Sequence, residues 1–455
     1  MNVDKKTDLF ENTPVRNAVL TLAIPSVLAS LVMILYNLAD TYFVGMLNNE
    51  IQTSAVTLAA PVILAFNAVN NLFGIGCSSR ISRSLGEKDY DTVRKTSAFG
   101  CYGAIISGAL FSIIFTALRP FFLNVLGASA ENIAETSDYL FWTVTCGAIP
   151  SILNVVMAQI IKSDGSAVHA AIGTMSGCLL NVVLDPVFIL PWGLNMGAAG
   201  AGCATFISNT FACAYFFVIL FVKRNETYIS VRPSNFKPTS AIVKDVCVVG
   251  IPGSIQNLLN VTGMTILNNF MAEYGSAAVS AAGISHKTVL IPLYVAMGIT
   301  QGVTPLVGYN YASGNRKRMR DSVVFTAEIS MVIMIAATVI CWAFTPGIVR
   351  LFMDNDQVVE YGTAFMRGMS LAQPFLCIDF LAVGVFQACG MGGKALLFAF
   401  LRKIVLEIPA MILLNKLVPM YGLAYAQLVA EFILSVIAII EMKKIFKETS
   451  PCIQK

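Results

Sequence analysis

Two carboxylates stand inside apolar runs of this 455-residue chain, with polar side chains placed to complement them. Asn181 lies four residues before Asp185 and so on the same helical face, while Asp40 and Thr205 fall at a similar depth in other runs. Pro186 frees a backbone carbonyl nearby. Two carboxylates in an apolar cavity cannot both stay ionised cheaply, so a converged set would take up H⁺ or bind Na⁺ at Asp40 and Asp185. The alternative is that both acids only lock helices together by hydrogen bonds.

Other charged side chains also lie within apolar runs. Asp379 has no matched partner in the sequence, whereas Glu407 is expected to pair with Lys403 one helical turn before it. Glu431 fits either a structural or a functional role. Arg402 fits a structural ion pair as well as a contact with substrate.

A second set of side chains suits a cavity for flat organic cations. An aromatic ring and a thioether bind such cations, and amides or a carboxylate facing the same space would keep it wet. Helix–helix hydrogen bonding explains the amides equally well. The candidates are Tyr36, Asn37, Asn257, Met264 and Asp379.

Composition indicates that membrane helices position these residues. The chain is 56% hydrophobic and 12% charged, half the charge of an average soluble domain. A run of about 20 apolar residues crosses the hydrocarbon core as a helix. Such runs predict an all-α membrane protein with 12 transmembrane spans, at about 18–44, 54–78, 97–118, 139–161, 167–190, 198–222, 246–271, 279–307, 322–344, 363–388, 395–414 and 422–442.

The distribution of basic residues predicts the orientation. Of the 30 Lys and Arg residues, 23 lie in the termini and connections on one side of the predicted spans and three on the other. Basic connections stay in the cytoplasm, so both termini are expected there. The net charge of +4 is too small for a nucleic-acid binder, and no nucleic-acid partner is expected.

The chain also repeats itself in two halves. Ala23-Ile24-Pro25 returns as Gly250-Ile251-Pro252, and four further matched pairs have offsets of 222 to 228 residues. Each half holds an even number of spans and therefore has the same orientation. We predict two pseudo-symmetric six-helix lobes, 1–222 and 246–455, joined by a cytoplasmic linker, 223–245. A cleft between rocking lobes favours a transporter over an anchor.

Motifs of other function classes are missing from the sequence. The text Gly390-Met391-Gly392-Gly393-Lys394-Ala395 lacks the first glycine and the hydroxyl residue of a P-loop. There is no HExxH motif, and only two histidines are present. Neither an enzyme nor a cofactor is therefore expected.

Several stretches resemble the multidrug and toxic compound extrusion (MATE) family, in its bacterial MepA- and DinF-like branches. The resemblance covers nearly the whole chain. The matching text is Asp40-Thr41-Tyr42-Phe43-Val44-Gly45, Asn70-Asn71-Leu72-Phe73-Gly74-Ile75-Gly76, Arg83-Ser84-Leu85-Gly86, Asn181 with Asp185-Pro186, Gly200-Ala201-Gly202-Cys203-Ala204-Thr205, and Pro305-Leu306-Val307-Gly308-Tyr309-Asn310.

The resemblance implies a V-shaped pair of lobes and cation-coupled multidrug efflux. It implies a cation site in the first lobe at Asp40, Asn181, Asp185 and Thr205. It also implies that a proline at the position of Pro25 bends span 1 as the site changes state. The sequence departs from many relatives by carrying Asn260 where they have Glu.

Three hypotheses follow. The first is an antiporter in the bacterial inner membrane, acting as a monomer, that exchanges H⁺ or Na⁺ for lipophilic organic cations. The second is a flippase for a lipid-linked or polyprenyl-phosphate substrate, which would need basic side chains in the cleft; only Lys287, Arg402 and Lys403 are placed for that. The third is a membrane scaffold or receptor, in which the buried acids are dispensable.

Overall fold

The computed structural model describes residues 3–47, 49–353 and 355–447. The outermost ends of the predicted lobes, 1–2 and 448–455, lie outside the described residues. Throughout the described part, helices and connecting loops make up the fold and no strand occurs. The predicted all-α class is confirmed.

Eleven of the 12 predicted spans are long apolar helices or bent helix pairs. Among the described residues, nine continuous helices are long and apolar enough to cross a membrane. These are Val15–Gly45, Glu50–Gly86, Tyr90–Ala117, Ala167–Ile189, Ala198–Val222, Ser240–Ala272, Ser276–Ala312, Arg316–Phe352 and Tyr421–Lys447. Spans 4 and 10 are the bent pairs, Ile133–Cys146 with Ala148–Ser163 and Asp356–Ser370 with Gln373–Ala388.

Span 11 is also helical but carries more charge than the other spans. It runs through Gly392–Phe400, a π-helical stretch Leu401–Glu407, and Ile408–Leu417. The π-helical stretch holds both Arg402 and Glu407. Wide π turns interrupt the regular helix and often occur at functional sites.

The two bent spans occupy matching places in the two halves. Span 4 bends by 51° and span 10 by 44°. In span 4 the π-helical stretch Phe141–Cys146 ends at Gly147, where a Cβ would lie 2.6 Å from the Trp142 carbonyl oxygen. Glycine at this position therefore allows the bend.

The chain packs into two compact units whose boundaries differ from those of the predicted lobes. One unit comprises Met1–Asn12 and Leu28–Ser254, and the other comprises Thr13–Val27 and Ile255–Lys455. Spans 1 and 7 thus each change unit within the helix, two residues after Pro25 and two residues after Pro252.

We call the start of span 1, Thr13–Val27, and the start of span 7, up to Ser254, the exchanged segments, because each packs in the unit opposite to the rest of its helix. Close helix crossings hold both exchanged segments within their units. In the first unit, Gly76 faces the Val246 backbone, and a Cβ there would lie 2.5 Å from its carbonyl oxygen. In the second unit, Gly302 faces the Leu22 carbonyl oxygen at a corresponding distance of 2.6 Å. Small residues at such crossings let membrane helices approach backbone to backbone.

We expect Gly302→Ala to destabilise the protein, because the added methyl group meets a backbone that cannot move aside without shifting the helix. Overpacking of this kind costs about 1–3 kcal/mol. Gly283→Ala on the same helix is the matched control, since a Cβ there meets nothing within 4 Å. Thermal unfolding of the two purified variants measures the difference in stability. Equal melting temperatures would contradict a close backbone contact at Gly302.

Candidate functional site

Span 1 contributes an acid and a phenol to a polar cluster in the first unit. Tyr36 and Asp40 lie one helical turn apart on the same face. The Tyr36 hydroxyl lies close to the Thr205 side chain of span 6. Asp40, which is half-buried, interacts electrostatically with Tyr36, Tyr139 and Asp185. Three predicted residues on three different spans thus come together around Asp40.

Spans 5 and 6 contribute the amide, the second acid and the hydroxyl. Asp185 is 0% exposed and Asn181 is 1% exposed. With the Asn181 amide oriented to satisfy both neighbours, its Nδ2 donates to Asp185 Oδ2 at 2.9 Å and its Oδ1 accepts from the Thr205 backbone N–H at 3.1 Å. The four predicted cation-site residues therefore form one connected cluster.

Glycines keep spans 5 and 6 close enough for these contacts. A Cβ on Gly177 would lie 3.1 Å from the Ser208 carbonyl oxygen, and one on Gly200 would lie 2.5 Å from the Phe188 carbonyl oxygen. These two contacts lie on either side of Asn181 and Asp185 along the helix pair. The acid on span 5 consequently has little freedom to move away from span 6.

In the described part of the chain, the cluster holds two carboxylates and no base. Among the described residues, no Lys, Arg or His forms an ion pair with Asp40 or Asp185. Its remaining polar groups are the hydroxyls of Tyr36, Tyr139 and Thr205 and the Asn181 amide. Hydrogen bonds from neutral groups do not cancel the repulsion between two anions at low dielectric. The arrangement therefore suits a proton or a small hard cation.

Pro186 lies inside span 5, directly after Asp185. Its ring cannot donate to the carbonyl one turn earlier, so that oxygen is left without its helical partner. The helix continues to Ile189 despite this missing bond.

The predicted substrate-cavity residues occupy different environments. Tyr36 belongs to the cluster around Asp40, whereas Asn37 is exposed and donates to the Met33 carbonyl oxygen at 2.7 Å on its own helix. On span 7, Asn257 is half-buried and Met264 is 40% exposed. Their shared role in a cavity stays a prediction.

Asp379, the fifth cavity candidate, is committed to a buried ion pair in the second unit. Arg402 donates to Asp379 Oδ2 at 3.0 Å and to Asn260 Oδ1 at 2.6 Å. The same guanidinium lies 5.1 Å from the Phe380 ring centroid. The expectation that Asp379 has no matched partner is wrong, because the sequence does not reveal that span 11 brings Arg402 against span 10.

The remaining intramembrane acids lie near this pair. Lys403 Nζ donates to Glu407 Oε1 at 2.7 Å, which confirms the predicted pairing along span 11. Glu431 on span 12 is 0% exposed, and neither of its carboxylate oxygens has a hydrogen-bond partner among the described residues. It interacts electrostatically with Arg402 and Lys403. Arg402 and Lys403 balance two of the three acids, and His286 also interacts with Lys403 and Glu407.

Sequence reasoning missed Tyr139 in the first unit. This phenol is buried and interacts with both Asp40 and Asp185. Depth counting did not select Tyr139 because it stands at the very start of the predicted fourth span, whereas the helix begins at Ile133 and sets Tyr139 deeper.

Comparison with known proteins identifies the family to which the chain is similar along most of its length. The MatE family model matches residues 25–187 and, a second time, residues 252–413. The two matches begin 227 residues apart, which confirms the internal repeat. The curated relatives include the multidrug export protein MepA of Staphylococcus haemolyticus strain JCSC1435, which is 33% identical over 438 residues and is matched over 96% of this chain and 95% of its own length. MepA of Staphylococcus aureus strain MRSA252 is 32% identical over 440 residues, with the same coverage.

Solved structures support the fold. The crystal structure described as the outward-facing conformation of a multidrug resistance MATE family transporter of the MOP superfamily has a TM-score of 0.91. The match covers 98% of this chain and 99% of that chain at 23% identity. This likeness concerns the fold alone and agrees with two six-helix halves.

We expect Arg402→Met to destabilise the protein by about 3–5 kcal/mol, because it leaves Asp379 buried without its cation. Replacing both partners, as in Arg402→Met with Asp379→Leu, should recover most of the loss. Arg350→Met is the control, since its partner Asp356 is exposed and such pairs contribute about 1 kcal/mol or less. Unfolding in detergent provides the measurement. A fully stable Arg402→Met variant would rule out a structural role for the pair.

Proposed function

Because the chain belongs to the MATE family of multidrug efflux transporters, we propose that it exports lipophilic organic cations in exchange for H⁺ or Na⁺. The observation that carries this proposal is the pair formed by half-buried Asp40 and fully buried Asp185, which has no base as an ion-pair partner among the described residues. Relatives at 32–33% identity are multidrug export proteins, which supports small-molecule substrates. The family consists of ion-coupled transporters rather than enzymes.

Charge neutrality is the proposed basis of coupling. A cation entering the cluster reduces the repulsion between Asp40 and Asp185, and a cation leaving it restores that repulsion. The preferred arrangement of spans 1, 5 and 6 then depends on occupancy. One charge crossing 100 mV provides about 2.3 kcal/mol, which corresponds to roughly a fifty-fold concentration gradient.

The donor set accommodates either coupling ion. Protonation of one carboxyl group neutralises part of the cluster without new ligands. Na⁺ would instead draw on the carboxylates of Asp40 and Asp185 and the neutral oxygens of Asn181 and Thr205, the hard ligands that it prefers. A direct comparison of gradients must distinguish these two mechanisms.

Substrate contacts are proposed for Tyr36, Asn37, Asn257 and Met264. Partial exposure of Met264 supports this role, since a flexible thioether adapts to varied apolar surfaces. Asp379 is a weaker candidate because Arg402 already occupies its carboxylate.

The membrane setting follows from the same arguments. The chain is a multi-pass membrane protein, and its relatives in staphylococci support a bacterial plasma membrane. The excess of basic residues on one side supports cytoplasmic termini. We propose that one chain alone forms the transport unit.

The flippase hypothesis has less support. A phosphate-bearing lipid would require uncommitted cations within the spans. Arg402 is held by Asp379 and Lys403 by Glu407, which leaves the exposed Lys287 as the candidate without an ion pair among the described residues.

Pro25 is proposed as the bending point of span 1. It removes one helical hydrogen bond, and the helix changes packing unit two residues later. A weakened helix at that position can bend while the segments on either side keep their own contacts.

We expect Asp40→Asn and Asp185→Asn each to reduce ethidium efflux by at least about tenfold, the factor that corresponds to 1.4 kcal/mol of lost coupling. The measurement is ethidium transport in inverted vesicles, with ΔpH and a Na⁺ gradient imposed separately. Wild-type protein should respond to one gradient and not to ATP.

Glu273→Gln, which alters an exposed acid at the end of span 7, is the control and should transport normally. Normal pumping by both Asp variants would refute the coupling site. Transport that requires ATP would refute the proposed class.

We expect Pro25→Ala to slow transport while leaving the protein folded, because alanine restores the missing hydrogen bond and stiffens the helix. Pro346→Ala is the matched control, since Pro346 also interrupts a long helix but lies in a segment that stays within one unit. Efflux rates of both variants test this role, and equal rates would argue against a hinge at Pro25.

A further inference from the structure

A basic cavity lies at the end of span 6, away from the cluster of acids. It has a volume of about 630 Å³ and lies between that helix and the irregular segment that follows it. Arg94, Arg224 and Arg232 line it together with Phe217 and Phe221. Among the described residues that form this lining, none is acidic. We call this cavity the arginine pocket.

Hydrogen bonds attach the segment that follows span 6, which forms one side of the arginine pocket, to span 3. The Ser230 backbone N–H donates to Ser97 Oγ at 2.9 Å, and Ser97 Oγ donates to the Ser230 carbonyl oxygen at 3.1 Å. The Tyr102 hydroxyl donates to the Val231 carbonyl oxygen at 3.1 Å. A segment held at successive residues presents its side chains in a preformed arrangement, which lowers the entropic cost of binding.

The three guanidinium groups are the charged groups among the described residues that line the arginine pocket. Nearby acids are engaged elsewhere, with Glu226 near Lys223 at 3.9 Å and Asp91 paired with Lys95 at 2.5 Å. In the described part of the chain, no ion pair involves Arg94, Arg224 or Arg232. Three like charges around one cavity repel each other, so an anion bound there is favoured by all three.

The surroundings indicate what kind of anion would bind. Phe221 is 72% exposed and Val222 is 68% exposed, on the last turn of a membrane helix. Arg224 lies over the Phe221 ring, 5.4 Å from its centroid. The ligand should therefore combine a phosphate, which guanidinium groups bind by paired hydrogen bonds, with an apolar tail alongside span 6.

We propose that the arginine pocket binds the headgroup of an anionic phospholipid. The positive-inside orientation places this end of span 6 in the cytoplasmic leaflet, where anionic lipids attract basic residues. This inference does not depend on the transported substrate or on the coupling ion.

The test is native mass spectrometry of the full-length protein with phosphatidylglycerol or phosphatidylcholine. Wild-type protein should prefer phosphatidylglycerol. The triple variant Arg94→Gln, Arg224→Gln and Arg232→Gln should lose on the order of 100-fold in that affinity, at about fivefold for each arginine. Raising the salt concentration should weaken binding, because the charges are close to solvent.

The control changes three basic residues outside the pocket, Lys317→Gln, Arg320→Gln and Lys443→Gln, and should keep wild-type affinity. Equal phosphatidylglycerol binding by the pocket variant and wild type would overturn the proposal. Displacement of the lipid by inorganic phosphate would overturn it in favour of a soluble anion. If the triple variant does not fold, Arg224→Gln alone should still weaken binding about fivefold, and an unchanged affinity would be equally decisive.

Discussion

Two acidic side chains held close together, with no base paired to them among the described residues, are the constraint on which the first unit depends. Tyr36, Tyr139 and Asn181 supply hydrogen-bonding groups around Asp40 and Asp185, but none supplies a positive charge. The glycine contacts between spans 5 and 6 prevent the region from relaxing by separation. In the proposed mechanism an exchangeable cation balances this cluster, which ties the energy of the helix arrangement to the contents of the site.

In the second unit, buried acids are paired with basic side chains, which are covalently part of the chain and cannot dissociate. Arg402 is attached to span 11 and neutralises Asp379 permanently, while Lys403 does the same for Glu407. The Asp379–Arg402 pair joins spans 10 and 11 and is suited to holding those two helices in register, whereas the Lys403–Glu407 pair lies within span 11. Among the described residues, the carboxylate of Glu431 has no hydrogen-bond partner. The two halves thus share a helical framework, but buried acids within the spans are ion-paired with Arg or Lys only in the second half, as far as the described residues show.

The sequence predicted the helices better than it predicted the partners of the charged side chains. Runs of apolar residues located eleven of the 12 predicted spans as long apolar helices or bent pairs, because hydrocarbon thickness sets their length. Depth counting along predicted helices was sufficient to group Asp40, Asn181, Asp185 and Thr205. It did not reveal the pairing of Asp379 with Arg402, since depth alone leaves the rotation of each helix undetermined. The bends in spans 4 and 10 were also missed, because hydropathy records composition and not direction.

The exchanged segments at the starts of spans 1 and 7 have a consequence for biosynthesis. Thr13–Val27 is among the first parts of the chain to leave the ribosome, yet its packing partners lie within Ile255–Lys455, which is translated much later. The beginning of span 1 must therefore wait in the bilayer until the second half has been inserted. Expressing the two halves from separate genes would leave each with an unfilled groove until they met.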